Sequence, residues 1–467
     1  MPFSRRAFIA SAATSLAFAG FGARAQDEAA ELPSYLNEVE GYGPLLPDPK
    51  GMLDLPRGFS YRIISQAGET MADGFLVPGA FDGMGCFSLD GDRVALVRNH
   101  ELGPAAFNDG AFGLGGRLAS RLPKDRAYDF SDTGLPLPGG TTTVIYDLKT
   151  GQTVSQHLSL AGTAVNCAGG VTPWGSWITC EETTLTAGLE IGKDHGYAFE
   201  VPSAGKGLAD PIPLKAMGRF RHEAVCIDPR TGVVYQTEDL QDGLFYRFLP
   251  NDRRNLAAGG KLQALGIVGV AEDADTRNQE GVVNIAPGAW VETRWIDMDG
   301  VDNPYDDLRL RGHAKGAAFF ARGEGVHWGN GELYFTATSG GAAGAGQIFR
   351  YVPSEFEGQA GEADKPGRLQ LFVESKDERV MDYADNIAIS PLGHIVVCED
   401  RYSEVKPNHL KGVTPQGKVY TLARNVFRGN AEFCGACFSP DGQTLFVNLQ
   451  WPGVTLAITG PWASVKV

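Results

Sequence analysis

One pattern recurs six times along this chain and constrains its fold more than any other feature. Each copy begins with an acidic residue or a cysteine, continues as an alternating apolar run, turns at a glycine and returns as a second apolar strand. The copies run from Asp82 to Gly91, Cys167 to Gly175, Glu223 to Gly232, Glu324 to Gly331, Asp385 to Gly393 and Glu432 to Gly442. Two-strand units repeated in this way predict a β-propeller, whose copies lie radially around one axis.

A second motif predicts the outer strands of the same repeats. A glycine followed by an alternating aromatic run occurs at 196–202, 243–250 and 346–353, with looser copies at 417–422 and 141–147. We therefore expect an all-β, six-bladed β-propeller with loop insertions over the active-site face. The insertions are placed at 102–138, 183–195 and 252–315. A large β-sandwich is the alternative, but it would not explain the recurring first residue.

The N-terminus carries an export signal. Ser4-Arg5-Arg6-Ala7-Phe8-Ile9 precedes a short apolar stretch, and Ala23-Arg24-Ala25 follows as a small-x-small cleavage site. We interpret residues 1–25 as a twin-arginine signal peptide and residues 26–467 as a single β-propeller catalytic domain. An ordinary secretory peptide is the alternative. The mature protein is expected to be a monomer in the periplasm or outside the cell, delivered by the twin-arginine export machinery.

Charge argues against one class of partner, and the cysteine count limits the possible disulfides. The formal net charge of −15 argues against nucleic acid and is compatible with bound cations. Beyond the signal, no apolar run reaches the ~18 residues that would suggest a membrane span. The chain has seven cysteines, so at least one is unpaired. Cys434 and Cys437 could form a disulfide or remain as buried thiols.

The segment from Cys167 to Glu182 predicts a metal site. A β-hairpin returns its two ends to the same level, so these two residues should be neighbours. A thiolate beside a carboxylate suggests a first-row transition metal, with iron as the main candidate and manganese and zinc also open. The alternative is a buried cysteine and a solvated glutamate.

Further ligands are expected at the other repeat starts. Carboxylates at Glu223, Glu324 and Asp385 would join the site, and Asp82 fits by position. Oxygen donors alone at Asp385 and the following asparagine suit calcium. Strand ends at Glu101, Asp239 and Asp400 offer more oxygen.

Arg322 lies two residues before Glu324, so both side chains share one face of a strand. We expect Arg322 to be the catalytic residue that grips an anion with its planar fork. A simple salt bridge with Glu324 is the alternative. His222 should face away from Glu223, because adjacent strand residues alternate.

Many carboxylates, a thiolate and an arginine suit a hydrolase that uses several metal ions on an anionic substrate. Two other classes remain open. A propeller lactonase or related calcium hydrolase would need no cysteine at its site. A non-enzymatic propeller that binds an anion or a partner would tolerate loss of the carboxylates.

Long segments of the chain resemble the PhoX family of bacterial exported alkaline phosphatases. The matching segments are NCAGGVTPWGSWITCEE at 166–182, GRFRHEA at 218–224, VYQTED at 234–239, RGE at 322–324, DNIAISPLG at 385–393 and FSPDGQTLFVNLQWPG at 438–453. The resemblance implies a six-bladed propeller with an iron–calcium cluster that hydrolyses a small phosphomonoester. It also implies ligation by Cys167, Glu182, Glu223, Glu324 and Asp385, with phosphate contact by Arg322. This chain is shorter than the larger members, which leaves its substrate range open.

Overall fold

The chain folds almost entirely into antiparallel strands. The computed structural model describes residues 33–401, 407–427 and 431–467, so the expected signal peptide at 1–25 lies outside the described residues. The strands are β1 Leu45–Leu46, β2 Leu53–Pro56, β3 Ser60–Gln66, β4 Phe81–Ser88, β5 Arg93–His100, β6 Gly139–Asp147, β7 Gln152–Thr163, β8 Asn166–Val171, β9 Ser176–Glu181, β10 Ala198–Pro202, β11 His222–Ile227, β12 Val234–Glu238, β13 Gly243–Pro250, β14 Gly260–Ile267, β15 Trp290–Asp297, β16 Phe319–Phe320, β17 Gly323–Gly329, β18 Glu332–Ala337, β19 Gln347–Val352, β20 Arg368–Glu374, β21 Ala384–Ile389, β22 Ile395–Glu399, β23 His409–Val413, β24 Val419–Asn425, β25 Phe433–Phe438, β26 Thr444–Leu449 and β27 Val454–Thr459.

Helical structure is sparse in the described ranges. The single α-helix there is α1, Leu308–Ala314. Short 3-10 turns lie at Phe107–Asp109, Leu114–Gly116, Ala119–Arg121, Lys124–Arg126, Lys215–Met217, Leu256–Ala258, Ala360–Ala363 and Trp462–Ser464. None of the described helices is long and apolar enough to cross a membrane.

The predicted repeat units are present as strand hairpins. Each predicted first strand and its return strand pair antiparallel, from β4 with β5 through to β25 with β26. Gly175 and Gly331 turn two of these hairpins with φ of 88° and 83°, values that residues with a Cβ rarely adopt. The predicted outer strands appear as β6, β10, β13, β19 and β24.

Hydrogen bonding joins the strands into five sheets rather than six separate blades. Four sheets are blade-like: β4-β5-β6-β7, β8-β9-β10, β25-β26-β27-β3, and β21-β22-β23-β24 extended by β2 and β1. The fifth follows the path β11-β12-β13-β14-β15-β20-β19-β18-β17, with β16 on β13, and its end strands β11 and β17 pack together. The arrangement is therefore all-β and propeller-like, with four blades and one nearly closed sheet.

The strand β15 is the physical reason why the structure has five sheets rather than six separate blades. It hydrogen-bonds β14 along one edge and β20 along the other, so it joins the third and fourth repeats. The segment 252–315 was expected to be loop, but it contains β14, β15 and α1. The other two insertions, 102–138 and 183–195, contain no strand, in agreement with the expectation of loops.

The first strand of each repeat lines the centre. We call β4, β8, β11, β17, β21 and β25 the inner strands. Each inner strand packs against the next one, and β25 packs against β4, which closes a ring. Apolar side chains fill the spaces between repeats, as where Phe245, Phe335 and Phe349 stack between the third and fourth repeats. The strand β3 pairs with β27, so an early strand completes the last blade.

Candidate metal centre

The second residue of every inner strand belongs to one ring of side chains. In each of the six hairpins the pairing register shifts at or directly after this residue, which marks a β-bulge. A bulge bends the strand and re-aims a side chain. We name these positions the inner ring, and its members are Asp82, Cys167, Glu223, Glu324, Asp385 and Cys434.

The sixth member differs from the sequence expectation. The repeat start was placed at Glu432, but Phe433 pairs with Leu449 just as Ala384 pairs with Glu399 in the fifth repeat. This register makes Cys434, not Glu432, the equivalent of Asp385. Glu432 lies directly before the strand and remains close to the ring.

A second ring lies one residue beyond the return strand of each repeat. Its members are Glu101, Glu182, Asp239, Thr338, Asp400 and Gln450. The backbone N–H of each donates to the carbonyl of the residue two positions before the inner-ring member of its own repeat, at 2.8 to 3.4 Å. Glu182, for example, donates to Val165 at 2.8 Å, and Thr338 donates to Arg322 at 2.9 Å. One hydrogen bond, repeated six times, therefore holds the second ring beside the first.

The two rings bring metal-binding atoms together. Four groups of three residues each offer one ligand atom, and within each group these atoms lie within 4.8 Å of one another. The groups are Asp82, Glu101 and Cys167; Cys167, Glu182 and Glu223; Glu223, Glu324 and Asp385; and Asp82, Glu432 and Cys434. They overlap at Asp82, Cys167 and Glu223, so the donors form one continuous cluster. All six residues expected as ligands lie in it, together with Glu101, a strand-end oxygen donor, and Glu432, the expected start of the sixth repeat; Cys434 is the one addition.

Two carboxylates in this cluster are buried without partners. Asp82 is 1% exposed and Glu223 is fully buried. Within the described part of the chain, neither oxygen of either carboxylate has a hydrogen-bond partner. An unpaired charge in such a place is strongly destabilising, so buried charges are normally paired or coordinate metals. Carboxylate oxygens suit hard cations, and the Cys167 sulfur adds a ligand for a transition metal. The residues therefore fit the iron and calcium that the sequence suggested.

Crowded burial favours the protonated form of these groups when no cation is bound. Burial, and then the charges of Glu324 and Asp385, raise the pKa of Glu223 well above its usual range. Burial, followed by Asp82, likewise raises the pKa of the Cys167 thiol. The pKa of Glu101 rises to about 7 through burial and the charge of Asp400. Cations at this site would displace protons, so metal affinity should increase with pH.

Arg322 is the arginine most closely engaged with the cluster. Its Nε and Nη2 donate to Asp239 Oδ1 and Oδ2 at 2.9 and 3.0 Å, and Nη2 also donates to Glu324 Oε1 at 2.6 Å. Burial would lower the pKa of Arg322, but the charges of Glu324 and Asp239 outweigh burial and raise it. The salt bridge between Arg322 and Glu324 that the sequence offered as the alternative is therefore present, and the grip on an anion stays a prediction. The guanidinium here links the inner ring to the second ring.

A second arginine occupies the equivalent place in the third repeat. Arg221 lies two residues before Glu223, as Arg322 lies two before Glu324. Its carbonyl accepts the N–H of Asp239 at 3.2 Å, the same contact that Arg322 makes with Thr338. Unlike Arg322, the Arg221 side chain is exposed. The segment quoted for its resemblance, GRFRHEA, contains this residue, but the sequence alone did not single it out.

Backbone strain also concentrates at this level. Ala80, Val165, Arg322 and Tyr383 each directly precede an inner strand, and each has a positive φ between 42° and 57°. Residues with a side chain adopt this conformation at an energetic cost, and such residues cluster at functional sites. These strained residues therefore lie where the chain enters four of the inner strands.

Side chains of return strands fix the inner ring from behind. Four of them donate to the backbone carbonyl of an inner-ring residue in a neighbouring repeat. Asn99 Nδ2 binds the Cys167 carbonyl at 2.9 Å, and Asn448 Nδ2 binds that of Asp82 at 2.6 Å. Thr237 Oγ1 binds the Glu324 carbonyl at 2.5 Å, and Thr336 Oγ1 binds that of Asp385 at 2.9 Å. These hydrogen bonds therefore hold the backbone of four inner-ring residues in place.

Buried histidines brace the second ring. His195 Nδ1 lies 2.6 Å from Glu181 Oε1, directly beside Glu182, and its Nε2 lies 3.2 Å from Asp129. Burial lowers the pKa of His195, but the two carboxylates outweigh it and raise the pKa to about 9. His409 Nδ1 makes the same kind of contact with Glu399, beside Asp400, at 2.8 Å. By contrast, His222 stacks on Phe220 and faces the Gly218 carbonyl, away from the cluster.

The opposite side of the inner ring is apolar. The residues that directly follow the inner-ring members, including Ala168 and Ala224, line a cavity of about 270 Å³. Trp177, Val225 and Trp328 form other parts of its wall, and no carboxylate of the described residues lines it. The inner ring therefore separates the carboxylate cluster from this cavity.

The solved structures to which this chain is similar are distant from it. The β-propeller domain of Cps50 (Swd1) from Myceliophteria thermophila is 10% identical over 86% of this chain and 100% of that chain, with a TM-score of 0.39. A protein of unknown function from Dyadobacter fermentans is 8% identical over 86% and 99%, with a TM-score of 0.43. The periplasmic gluconolactonase PpgL of Pseudomonas aeruginosa is 12% identical over 84% and 89%, with a TM-score of 0.39.

Sequence comparison gives the family. Curated proteins yielded no match to this chain. The profile described as alkaline phosphatase PhoX matches residues 40–453. That range contains every member of the two rings. The chain therefore belongs to the PhoX family of alkaline phosphatases.

Proposed function

We propose that this chain is an exported, metal-dependent phosphomonoesterase of the alkaline phosphatase type, with iron and calcium bound by its two rings. One observation carries the proposal. Four oxygens, those of Asp82 and Glu223, are buried without hydrogen-bond partners in the described residues, and bound cations would satisfy them. Membership of the PhoX family supports phosphate monoesters as the substrate class.

The types of donor atom suggest which residues would bind iron and which would bind calcium. Cys167, with Glu182 and Glu223, offers the thiolate and carboxylates that suit iron. Glu324, Asp385, Asp82 and the second-ring carboxylates offer oxygen alone, which suits calcium. When bound, such cations polarise phosphoryl oxygens and lower the pKa of a nucleophilic water.

The two arginines would bind the substrate phosphate and neutralise its negative charge. Arg322 is fixed by Asp239 and Glu324, so its cationic fork is already ordered next to the proposed ligands. This position allows it to neutralise charge on the phosphoryl oxygens as that charge develops. Arg221 is exposed beside Glu182 and would meet the incoming phosphate first.

The proposal includes the wider organisation expected from the sequence. We take the ten-stranded sheet as two blades of a six-bladed propeller that β15 ties together at their outer edges. The closed ring of inner strands and the six-fold repeat of the bulge support this view. Residues 26–467 would form one catalytic domain, a monomer in the periplasm or outside the cell after twin-arginine export and loss of residues 1–25.

A substrate panel tests the function. The mature chain, supplied with iron and calcium, should hydrolyse p-nitrophenyl phosphate and should not accelerate the hydrolysis of gluconolactone above its spontaneous rate. A calcium lactonase, the alternative class, would need neither Cys167 nor Arg322. Glu223→Gln should abolish turnover, since it removes a buried donor. Glu332→Gln is the matched control, because Glu332 pairs with Arg350 away from the rings. Hydrolysis of the lactone but not of the phosphoester would refute the proposal.

A further inference from the structure

Cys434 occupies the inner-ring position of the sixth repeat. It is the second residue of β25, as Asp82 is of β4 and Cys167 is of β8. The register shift of its hairpin falls directly after it, whereas in the other five repeats the shifted stretch includes the inner-ring residue itself. The side chain is fully buried, and its Sγ donates to the carbonyl of Phe81 at 3.0 Å.

The surroundings of Cys434 separate it from the core cysteines. All seven cysteines are free thiols, so Cys434 and Cys437 form no disulfide. Five of the seven, namely Cys86, Cys180, Cys226, Cys398 and Cys437, pack in or against apolar clusters. Among the described residues, only Cys167 and Cys434 lie outside every such cluster. Cys167 is the thiol already expected to bind metal.

Asp82 lies between these two thiols. It shares one group of ligand atoms with Glu101 and Cys167 and another with Glu432 and Cys434, each within 4.8 Å. Both of its carboxylate oxygens lack hydrogen-bond partners in the described residues, and the side chain is 1% exposed. A carboxylate with two free oxygens can bind one cation on each side.

We propose that Cys434 is a second thiolate ligand and that Asp82, Glu432 and Cys434 hold a transition-metal cation next to the one held through Cys167. The inference rests on the metal-binding part of the proposed function. Binding replaces the thiol proton with the metal: the S–H bond breaks, the proton passes to solvent, and the contact with the Phe81 carbonyl is lost.

Cobalt absorption can count the thiolates directly. Co²⁺ alone is titrated into the metal-stripped mature protein, and the thiolate-to-cobalt charge-transfer band in the near ultraviolet is recorded. We expect Cys434→Ala and Cys167→Ala each to retain about half of the wild-type band, and the double variant to retain none. Cys437→Ala is the matched control on the same strand, and it should keep the full band.

The two single variants keep the test decisive even when one of them does not fold. If Cys434→Ala does not fold, the band left in Cys167→Ala still reports on Cys434. A full band in Cys434→Ala, or no band in Cys167→Ala, would overturn the inference. Phosphatase turnover is measured separately: a protein that hydrolyses phosphoesters but shows cobalt bound through Cys167 alone keeps the proposed function and loses only the second thiolate.

Discussion

Glu223 and Glu324 begin neighbouring inner strands, and their carboxylate oxygens lie within 4.8 Å of one another and of Asp385. The three carboxylates are buried, and the pKa of each is raised by burial and then by the charge of a neighbouring acid. Like charges at this distance repel strongly in a protein interior. Either protons or cations must therefore occupy the cluster, and this choice makes the site sensitive to pH and to metals.

Stability of the metal-stripped protein should fall as pH rises. Carboxyls with a raised folded-state pKa hold more protons in the folded chain than in the unfolded chain, so unfolding releases protons and becomes easier at higher pH. For Glu101 the window runs from the ordinary value of 4.5 to about 7. Thermal melting of chelated protein across this range should show a declining Tm, and Glu101→Gln should flatten the decline. A Tm that increases from pH 5 to pH 7.5 in the chelated protein would contradict the prediction.

Cys167→Ser should remove bound iron and phosphatase activity while the chain stays folded. Serine lacks a readily ionised thiolate, whereas the thiol makes no contribution to an apolar cluster in the described residues. Cys226→Ala is the control, because Cys226 lies in an apolar cluster near the same level. Iron content and circular dichroism on both variants check the prediction. Wild-type iron and turnover in Cys167→Ser would assign Cys167 a merely structural role.

The two arginines should give different kinetic defects. Arg322→Lys keeps the charge but loses the planar fork, so kcat should fall about 10²–10³-fold, the scale of a lost oxyanion donor. Arg221→Gln should raise KM about tenfold with kcat nearly unchanged, because we expect this exposed side chain to meet the phosphate before reaction. Arg253→Gln on a hairpin far from the rings is the control. Equal effects on kcat from Arg322→Lys and Arg221→Gln would argue against this division of roles.

Thr336→Val tests the support behind the inner ring. The variant keeps the shape of the side chain but loses the hydrogen bond to the Asp385 carbonyl, which should cost about 1 kcal/mol of stability. Thr276→Val loses a similar bond, to the Phe319 carbonyl, away from the rings. Denaturant unfolding should show comparable losses for both, and only Thr336→Val should bind calcium more weakly. Unchanged calcium affinity in Thr336→Val would mean that this bond supports the fold alone.

The repeat pattern was sufficient to predict most of the inner ring. Period-two alternation after each acidic or thiol residue determines which face points inward, so Asp82, Cys167 and Glu223 were found from spacing alone. The sixth position was wrong, because Glu432 and Cys434 are two residues apart and period-two alternation cannot choose between them. Only the pairing of Phe433 with Leu449 decides this register.

Long-range pairing explains the other differences. β15 hydrogen-bonds β20, a strand from a different repeat, and no local pattern in the segment 252–315 reveals that partner. The exposed Arg221 was overlooked for a related reason. Its proposed role in phosphate binding comes from its equivalence with Arg322. That equivalence is visible only in three dimensions, where the carbonyl of each arginine accepts a hydrogen bond from a second-ring residue.

We infer that buried, unpartnered carboxylates and the Cys167 thiolate bind a catalytic iron–calcium centre. Elemental analysis of protein exported through its native route, combined with p-nitrophenyl phosphate turnover on the same sample, tests this inference. We expect iron and calcium together, turnover that is lost on chelation, and recovery only when both metals return. Full turnover in protein that contains calcium alone, or that contains neither metal, would contradict it.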